Sequence, residues 1–459
     1  MSRRSNAFGV GIAASLPSSS LPAWADYTAL PNGTFREFTL NKPEDIGMQR
    51  AVLYNWCGGD FVPDYGARGG VGYCGGGEHV AWTDSSLSGP GQQGAYVLDC
   101  DSRLYVRKCY PSANHTGVRS DGAGTPTDDW GAYNDDGSPQ AKHTYNGMSY
   151  MPASWGGGSS GSLMRVAHTG GISISRGPQG GPAYAPGFAA TWRYDLSKAA
   201  HTVGDPSIIK LTGSSTYNYG SGSPATTNDA SFACIDHTRQ GWWSTHRGGS
   251  GAGGRMVFTS KTGAISAPQG PAFETEWAML HHFADDDIIV RFTDHQTSLP
   301  VVPIWRVHVW QAGTNNAWVE APVNRQAIAD TDTRYKGGLA YPEIGGMHPR
   351  WSSTLGCFVG LDQLYPAFAR GAPSTTIRVW KITPPPAGQR FTGTWQINWE
   401  LVTAVPGSVT NVMHITPYGG DAGTLNNVYG RLVECPSLRA FVWTRDVDKP
   451  GQLIRLRGM

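Results

Sequence analysis

Short apolar runs recur along this chain, separated by stretches rich in glycine, serine, proline and aspartate. Ala51-Val-Leu-Tyr-Asn-Trp56, Gly69-Gly-Val-Gly-Tyr-Cys74, Gly94-Ala-Tyr-Val-Leu-Asp-Cys100 and Leu104-Tyr-Val-Arg-Lys-Cys-Tyr110 form a first group of four. Such runs, rich in β-branched and aromatic residues and bounded by turn formers, predict strands. No stretch longer than about ten residues keeps a helical period. Four short strands joined by turns predict one blade of a β-propeller.

The pattern repeats down the chain. A second group opens at Lys142–Tyr150 and continues through Ser162–His168, Phe188–Leu196 and a strand within Ile208–Leu211. A third takes Ala230–Ile235, Gly241–His246 and Arg255–Ser260, and a fourth takes Glu276–Leu280, Asp287–Phe292, Ile304–Trp310 and Ala317–Glu320. The fifth spans Trp351–Leu361, a poor strand near Leu364–Phe368, Thr376–Ile382 and Thr394–Leu401. The sixth has only three strands, Asn427–Val433, Arg439–Thr444 and Gln452–Arg457. Its missing fourth is supplied by residues 34–40, so Phe35 and Phe38 are expected beside Leu453 and Leu456. That pairing would close the ring and hide an exposed strand edge.

The expectation is therefore an all-β chain with one propeller over residues 33–459. Six blades open near residues 51, 142, 230, 276, 350 and 427; the count becomes seven if Thr202–Tyr219 or Gln326–Tyr341 hides strands. Residues 1–32 read as an extended arm. Phe8, Leu16, Leu21, Trp24 and Tyr27 are its apolar pegs for a partner.

Composition agrees with strands and turns: 61 glycines and 31 prolines leave little room for helix interiors. Charge is balanced, 36 basic against 35 acidic residues, which argues against nucleic-acid or membrane-surface binding driven by net charge. The seven cysteines show no zinc-type spacing and sit mostly inside apolar runs. They read as buried free thiols, with a disulfide inside the group from Cys57 to Cys109 as the other option. No segment approaches the ~20 apolar residues of a membrane span. Arg3 and Arg4 precede a short, glycine-rich apolar run broken by Pro17, which is a poor secretory signal.

Two stretches resemble kelch-type propeller repeats. One is Gly72-Tyr-Cys-Gly-Gly-Gly-Glu-His79 followed by Gly94-Ala-Tyr-Val-Leu-Asp99. The other is Pro139-Gln-Ala-Lys-His-Thr-Tyr145 followed by Gly156-Gly-Gly158 and Trp192-Arg-Tyr-Asp-Leu196. A narrower set of cues is similar to kelch-like proteins of tailed bacteriophages and proteobacteria: Ser5-Asn-Ala-Phe-Gly, Leu21-Pro-Ala-Trp24, Glu78-His79, and Lys142–Tyr145 after Tyr-Asn-Asp-Asp-Gly137. That resemblance implies a virion or tail propeller without established chemistry. The arm would bind other tail proteins, and the protein would sit in the virion, in the cytoplasm before assembly; secretion is the lesser alternative.

Candidate sites are few. Glu78, His79 and His143 could form a polar site near the propeller axis, of the kind a hydrolase or oxidase on this scaffold would need. Structural hydrogen bonding is the plainer reading. The long insertion around Asp128, Asp129, Trp130 and Tyr133 could contact a host-surface glycan or a partner. Its acidic residues lack calcium-loop spacing. Asp285-Asp-Asp287 reads as a hairpin turn and not a metal site, and His237, His281 and His282 match no ligand spacing. Arg350, Arg378, Arg431, Arg439, Arg445, Arg455 and Arg457 would need to share a surface to line a DNA channel. No catalytic residue, metal or cofactor is assigned. The function expected is a non-enzymatic structural and interaction protein, with a carbohydrate-binding or host-receptor-binding propeller as the alternative.

Overall fold

The computed structural model describes residues 29–41, 46, 58–74, 94–109, 147–169, 189–199, 204–211, 232–246, 254–267, 269–273, 279–293, 306–326, 349–361, 375–406, 432–444 and 451–459. After β1 (Thr34–Phe38), chain order gives four separate four-stranded sheets. The first is β2 (Gly59–Val62), β3 (Gly70–Cys74), β4 (Ala95–Asp99) and β5 (Leu104–Lys108). The second is β6 (Met148–Met151), β7 (Ser162–Thr169), β8 (Ala189–Asp195) and β9 (Ile208–Lys210). The third is β10 (Phe232–Asp236), β11 (Gly241–His246), β12 (Gly254–Ser260) and β13 (Gln269–Phe273). The fourth is β14 (Met279–Phe283), β15 (Ile288–Thr293), β16 (Arg306–Gln311) and β17 (Val319–Glu320).

The other strands make one nine-stranded sheet. They are β18 (Val323–Arg325), β19 (Arg350–Ser352), β20 (Cys357–Leu361), β21 (Thr376–Thr383), β22 (Trp395–Ala404), β23 (Leu432–Cys435), β24 (Ala440–Trp443) and β25 (Gly451–Arg455), with β1 between them. The order is β19-β20-β21-β22-β1-β25-β24-β23, with β18 alongside β22. β1 pairs antiparallel with β25, Phe35 opposite Ile454 and Phe38 opposite Gly451. It meets β22 in parallel only at Thr34 and Phe35. The fold is all-β and propeller-like. First strands adjoin one another: β2 touches β6 and β23, β10 touches β6 and β14, and β19 touches β23. His281 of β14 stacks on Trp351 of β19, their rings 5.3 Å apart.

Apolar clusters fill the spaces between sheets, which is why many strands read as continuous apolar runs and not as alternating ones. β20 is buried at every position, and Ile377, Val379, Trp380 and Ile382 of β21 are all buried. β1 is inserted between two such clusters. Phe35 packs with Trp443, Ile454 and Leu456, whereas Phe38 packs with Tyr73, Val442 and Leu453. Each phenylalanine buries its whole side chain, worth about 1.5–3 kcal/mol. Leu30 is also in the second of these clusters, and Arg455 Nη1 donates to its carbonyl at 2.8 Å. The packed body thus begins before residue 33.

Several expected boundaries are corrected. Among the described residues the first sheet opens with Gly59–Val62, a strand that was not expected; Ala51–Trp56 lies outside the described residues. The fourth opens with Met279–Phe283, three residues later than expected, so His281 and His282 lie within a strand. Trp351–Leu361 is a hairpin, β19 and β20, and not one strand. Gly356, at φ 62, supplies the left-handed residue its turn requires. β20 therefore takes the place expected for Leu364–Phe368, which is outside the described residues. β13 was not expected at all. Among the described residues no helix is long and apolar enough to cross a membrane.

Candidate functional site

Among the described residues, a dense group of chemically capable side chains lies where the third sheet meets the fourth. Asp236 is the last residue of β10 and Arg239 lies in the turn to β11. Asp236 Oδ1 accepts the Arg239 backbone N–H at 2.9 Å, the local turn that holds both residues in place. Asp236 Oδ2 accepts from Trp243 Nε1 and from Arg239 Nη1, each at 2.9 Å. His282 comes from β14 and Asp287 from the turn that follows it. His282 Nδ1 is 3.6 Å from Asp236 Oδ1, and its Nε2 is 3.1 Å from Asp287 Oδ1. Arg239 forks onto Asp287, Nη1 to Oδ1 at 2.5 Å and Nη2 to Oδ2 at 2.7 Å.

Two carboxylates and an imidazole within 4.8 Å of one another are a donor set that a divalent cation could use. Here the Arg239 guanidinium already occupies both carboxylates. A cation would have to displace it and leave a partly buried guanidinium unpaired. The Arg239 hydrogen bonds hold the Asp287 carboxyl below its usual range, against the opposing effect of burial. The group is therefore a charge-compensated joint between sheets.

The same turn is held from its other side. Arg390, in the β21–β22 loop, forks onto Asp285 at 2.7 and 3.0 Å and reaches Asp286 Oδ2 at 2.8 Å. The Gly388 N–H donates to Asp286 Oδ1 at 2.6 Å, and the guanidinium lies 3.9 Å over the Phe283 ring. The tri-aspartate segment is thus a hairpin turn, and each carboxylate also grips a neighbouring sheet.

Three other junctions use a related device. Asp64, in the β2–β3 turn, accepts from the Tyr150 hydroxyl and, at 2.7 Å, from the Ala153 N–H of the second sheet. Glu434 of β23 accepts from Ser352 Oγ at 2.9 Å and from the Ser353 and Thr354 N–H groups at 2.8 and 3.3 Å. Between β19 and β2, Arg350 Nη2 donates to the Gly59 carbonyl at 2.7 Å, and Nη1 lies 3.7 Å from Asp60 Oδ1. Burial raises the Asp60 carboxyl above its ordinary value even with Arg350 opposing it, and desolvation lowers Arg350.

The expected site residues divide sharply. Phe35, Phe38, Leu453 and Leu456 are in the core described above. Glu78, His79, His143, Asp128, Asp129, Trp130, Tyr133 and the arm residues Phe8, Leu16, Leu21, Trp24 and Tyr27 lie outside the described residues. So do Arg431 and Arg445. Of the described arginines of the supposed DNA face, Arg350 is engaged as above, Arg378 is stacked 4.8 Å from the Trp399 ring, and Arg455 donates to the carbonyls of Leu30, Leu438 and Arg439, whereas Arg439 and Arg457 are exposed. His282 belongs to the joint, although no local spacing marked it, and His237 packs edge-on against Trp155 at 5.6 Å. Asp236 and Arg239 were missed. The sequence carries one signal for them, an aspartate three residues before an arginine at a strand end. Six described cysteines, Cys74, Cys100, Cys109, Cys234, Cys357 and Cys435, are buried free thiols; Cys57 is outside the described residues.

No protein-family model matches the chain, and no curated protein matches it.

Proposed function

We propose that this chain is a non-enzymatic structural and interaction protein, a rigid ring that presents loops and an N-terminal arm to partners. The observation that carries this reading is how the clustered acid–base side chains among the described residues are used. Asp236, His282 and Asp287 could serve acid–base or metal chemistry, yet Arg239 ties both carboxylates into a joint between sheets, with His282 held on Asp287. Asp64, Asp285, Asp286 and Glu434 are committed in the same way. Such a network favours rigidity over turnover.

The blade count proposed is six. The four separate sheets contribute four blades, and the long sheet contributes β19–β22 and β23–β25 with β1. The contacts between first strands support this count, and β1 completes the sixth blade by pairing with β25. The kelch-like character, and placement in a tail or virion assembly with residues 1–32 docked on a neighbouring subunit, rest on the sequence resemblance. Deleting residues 1–28 from the assembling system tests the docking. The truncated protein should fold with an unchanged unfolding midpoint and fail to enter particles. Normal incorporation sinks the docking reading.

A further inference from the structure

Cys100 and Cys435 meet where the first sheet abuts the last strands of the chain. Cys100 directly follows β4, and Cys435 is the last residue of β23. Both are buried, at 1% and 0% exposure, in one apolar cluster with Tyr73, Val442 and Leu453. They are anchored on adjacent residues of the β2–β3 connection. The Cys100 N–H donates to the Gly69 carbonyl at 3.1 Å, and the Cys435 thiol donates to the Arg68 carbonyl at 3.4 Å. Each thiol also acts on the protonation of the other, as neighbours across this seam must. Cys74 and Cys109 share a cluster too, but their thiols face other partners: Met148 Sδ at 3.3 Å and the Asp195 carbonyl at 2.7 Å.

We propose that Cys100 and Cys435 are a redox-sensitive pair whose oxidation to a disulfide covalently joins the first and last sheets. The oxidant is a low-molecular-weight disulfide such as oxidised glutathione. Cys435 is the attacking thiol. Hydrogen bonds from Cys100, Ser437 and the Leu438 N–H, with Arg68 nearby, hold its thiol below the ordinary range. Cys435 itself, then burial and the nearby carboxylates of Asp99 and Asp101, keep the proton on Cys100. The Cys435 thiolate attacks one sulfur of the oxidant, forms a mixed disulfide and expels a thiolate, which takes up a proton. Cys100 then loses its proton, attacks the Cys435 sulfur and expels the second glutathione. Two protein thiols give up two electrons and two protons, and the oxidant leaves as two thiols.

Because both sulfurs are buried, the oxidant reaches them only when this seam opens, so oxidation is faster where opening is promoted. Once formed, the bond closes a loop of roughly three-quarters of the chain: Cys435 already touches Arg68, 367 positions away and next to the Gly69 that holds Cys100. A cross-link over so long a loop restricts the unfolded chain strongly. It would hold the seam even when β1 detaches from β25.

The test is direct. The full-length protein is incubated with oxidised glutathione in sub-denaturing urea, remaining thiols are alkylated after unfolding, and the digest is read by mass spectrometry. The expected result is a peptide joining Cys100 to Cys435, loss of two alkylatable thiols and a raised urea midpoint. Cys100→Ser should leave Cys435 as a glutathione adduct, with Cys74 and Cys109 still alkylatable. Wild-type protein that retains both thiols, that carries only a glutathione adduct, or that links other cysteines in equal yield overturns the proposal. The wild-type readout does not depend on the variant folding.

Discussion

Arg239 and Arg390 grip one hairpin turn from opposite sides. Arg239 comes from the third sheet and takes Asp287; Arg390 comes from the β21–β22 loop and takes Asp285 and Asp286. Three consecutive carboxylates would repel one another in an isolated turn. Here Asp285 and Asp287 each meet a planar guanidinium in a forked geometry, the arrangement in which arginine outperforms lysine, and Asp286 takes one further N–H from Arg390. The turn therefore ties three successive sheets together.

Removing one member of this joint should be costly because Asp236 is fully buried. Arg239→Met leaves its carboxylate with the Trp243 N–H as its remaining side-chain donor, and should destabilise the protein by about 3–5 kcal/mol. Asp287→Asn should cost less, about 1–2 kcal/mol, because the side chain is partly exposed and its partner keeps Asp236. A double-mutant cycle read by urea unfolding should give positive coupling between Arg239 and Asp287. Additive losses would mean that the fork contributes nothing.

Glu434 should behave as a joint of a second kind, built from neutral donors. Its two oxygens accept from two hydroxyls and two backbone N–H groups of the β19–β20 turn. Glu434→Gln turns one acceptor into a donor facing other donors. The expected loss is about 1–3 kcal/mol, with amide exchange accelerated at Ser353 and Thr354. Unchanged exchange at those amides would refute the role.

The seam between the chain ends makes a steric prediction. Gly451 lies opposite Phe38, and a Cβ there would fall 2.7 Å from Phe38 Cε2 and 2.9 Å from Cε1. Gly451→Ala should therefore cost about 1–3 kcal/mol by overpacking. Phe38→Leu should cost about 1–2 kcal/mol alone, and the double variant should be more stable than the sum of the two losses implies. Strictly additive losses in urea melts would show that the ring does not meet the added methyl.

Strands with strong apolar patterning were legible in the chain. Gly241–His246 was read at its observed bounds, and Ile304–Trp310 nearly matches Arg306–Gln311. The failures share a cause. Gly59–Val62 and Gln269–Phe273 are short, and the second contains Gly270 and Pro271, so neither shows a strand pattern. They form strands because neighbouring strands offer partners. Ser352–Cys357 looks continuous only if Gly356 is ignored. The joints were less legible still. The Asp285–Asp287 turn was visible, but Asp287 and Arg239 are 48 positions apart and Arg390 is 105 from Asp285. Only sheet order and register bring them together, and no local spacing encodes that.

His281 should make the fold sensitive to mild acid. Its ring stacks on Trp351 and meets the edges of Phe283 and Phe358. Burial first, then the positive fields of His282, Arg390, Arg350 and His237, push its pKa down to about 3 from an ordinary 6.5. The native state therefore holds it neutral. Above pH 6.5 the unfolded chain is neutral there too, and the residue has no effect on pH dependence. As pH falls below 6.5, the unfolded state gains a proton that the native state refuses, so stability declines by at most about 1.4 kcal/mol per pH unit. That window runs from 6.5 down to about 3. Asp285 and Asp287, depressed below 3.8, hold their contribution above that value and lose it only in stronger acid. Between about pH 7.5 and 4.5 burial also holds His237 below its ordinary value and Asp60 above its own, so the effect of His281 is read from the difference in urea midpoint between wild type and variant. His281→Phe keeps the aromatic packing and removes the proton site, so its stability should fall less steeply than wild type over that interval. Parallel wild-type and variant profiles would show that His281 titrates normally in the folded protein.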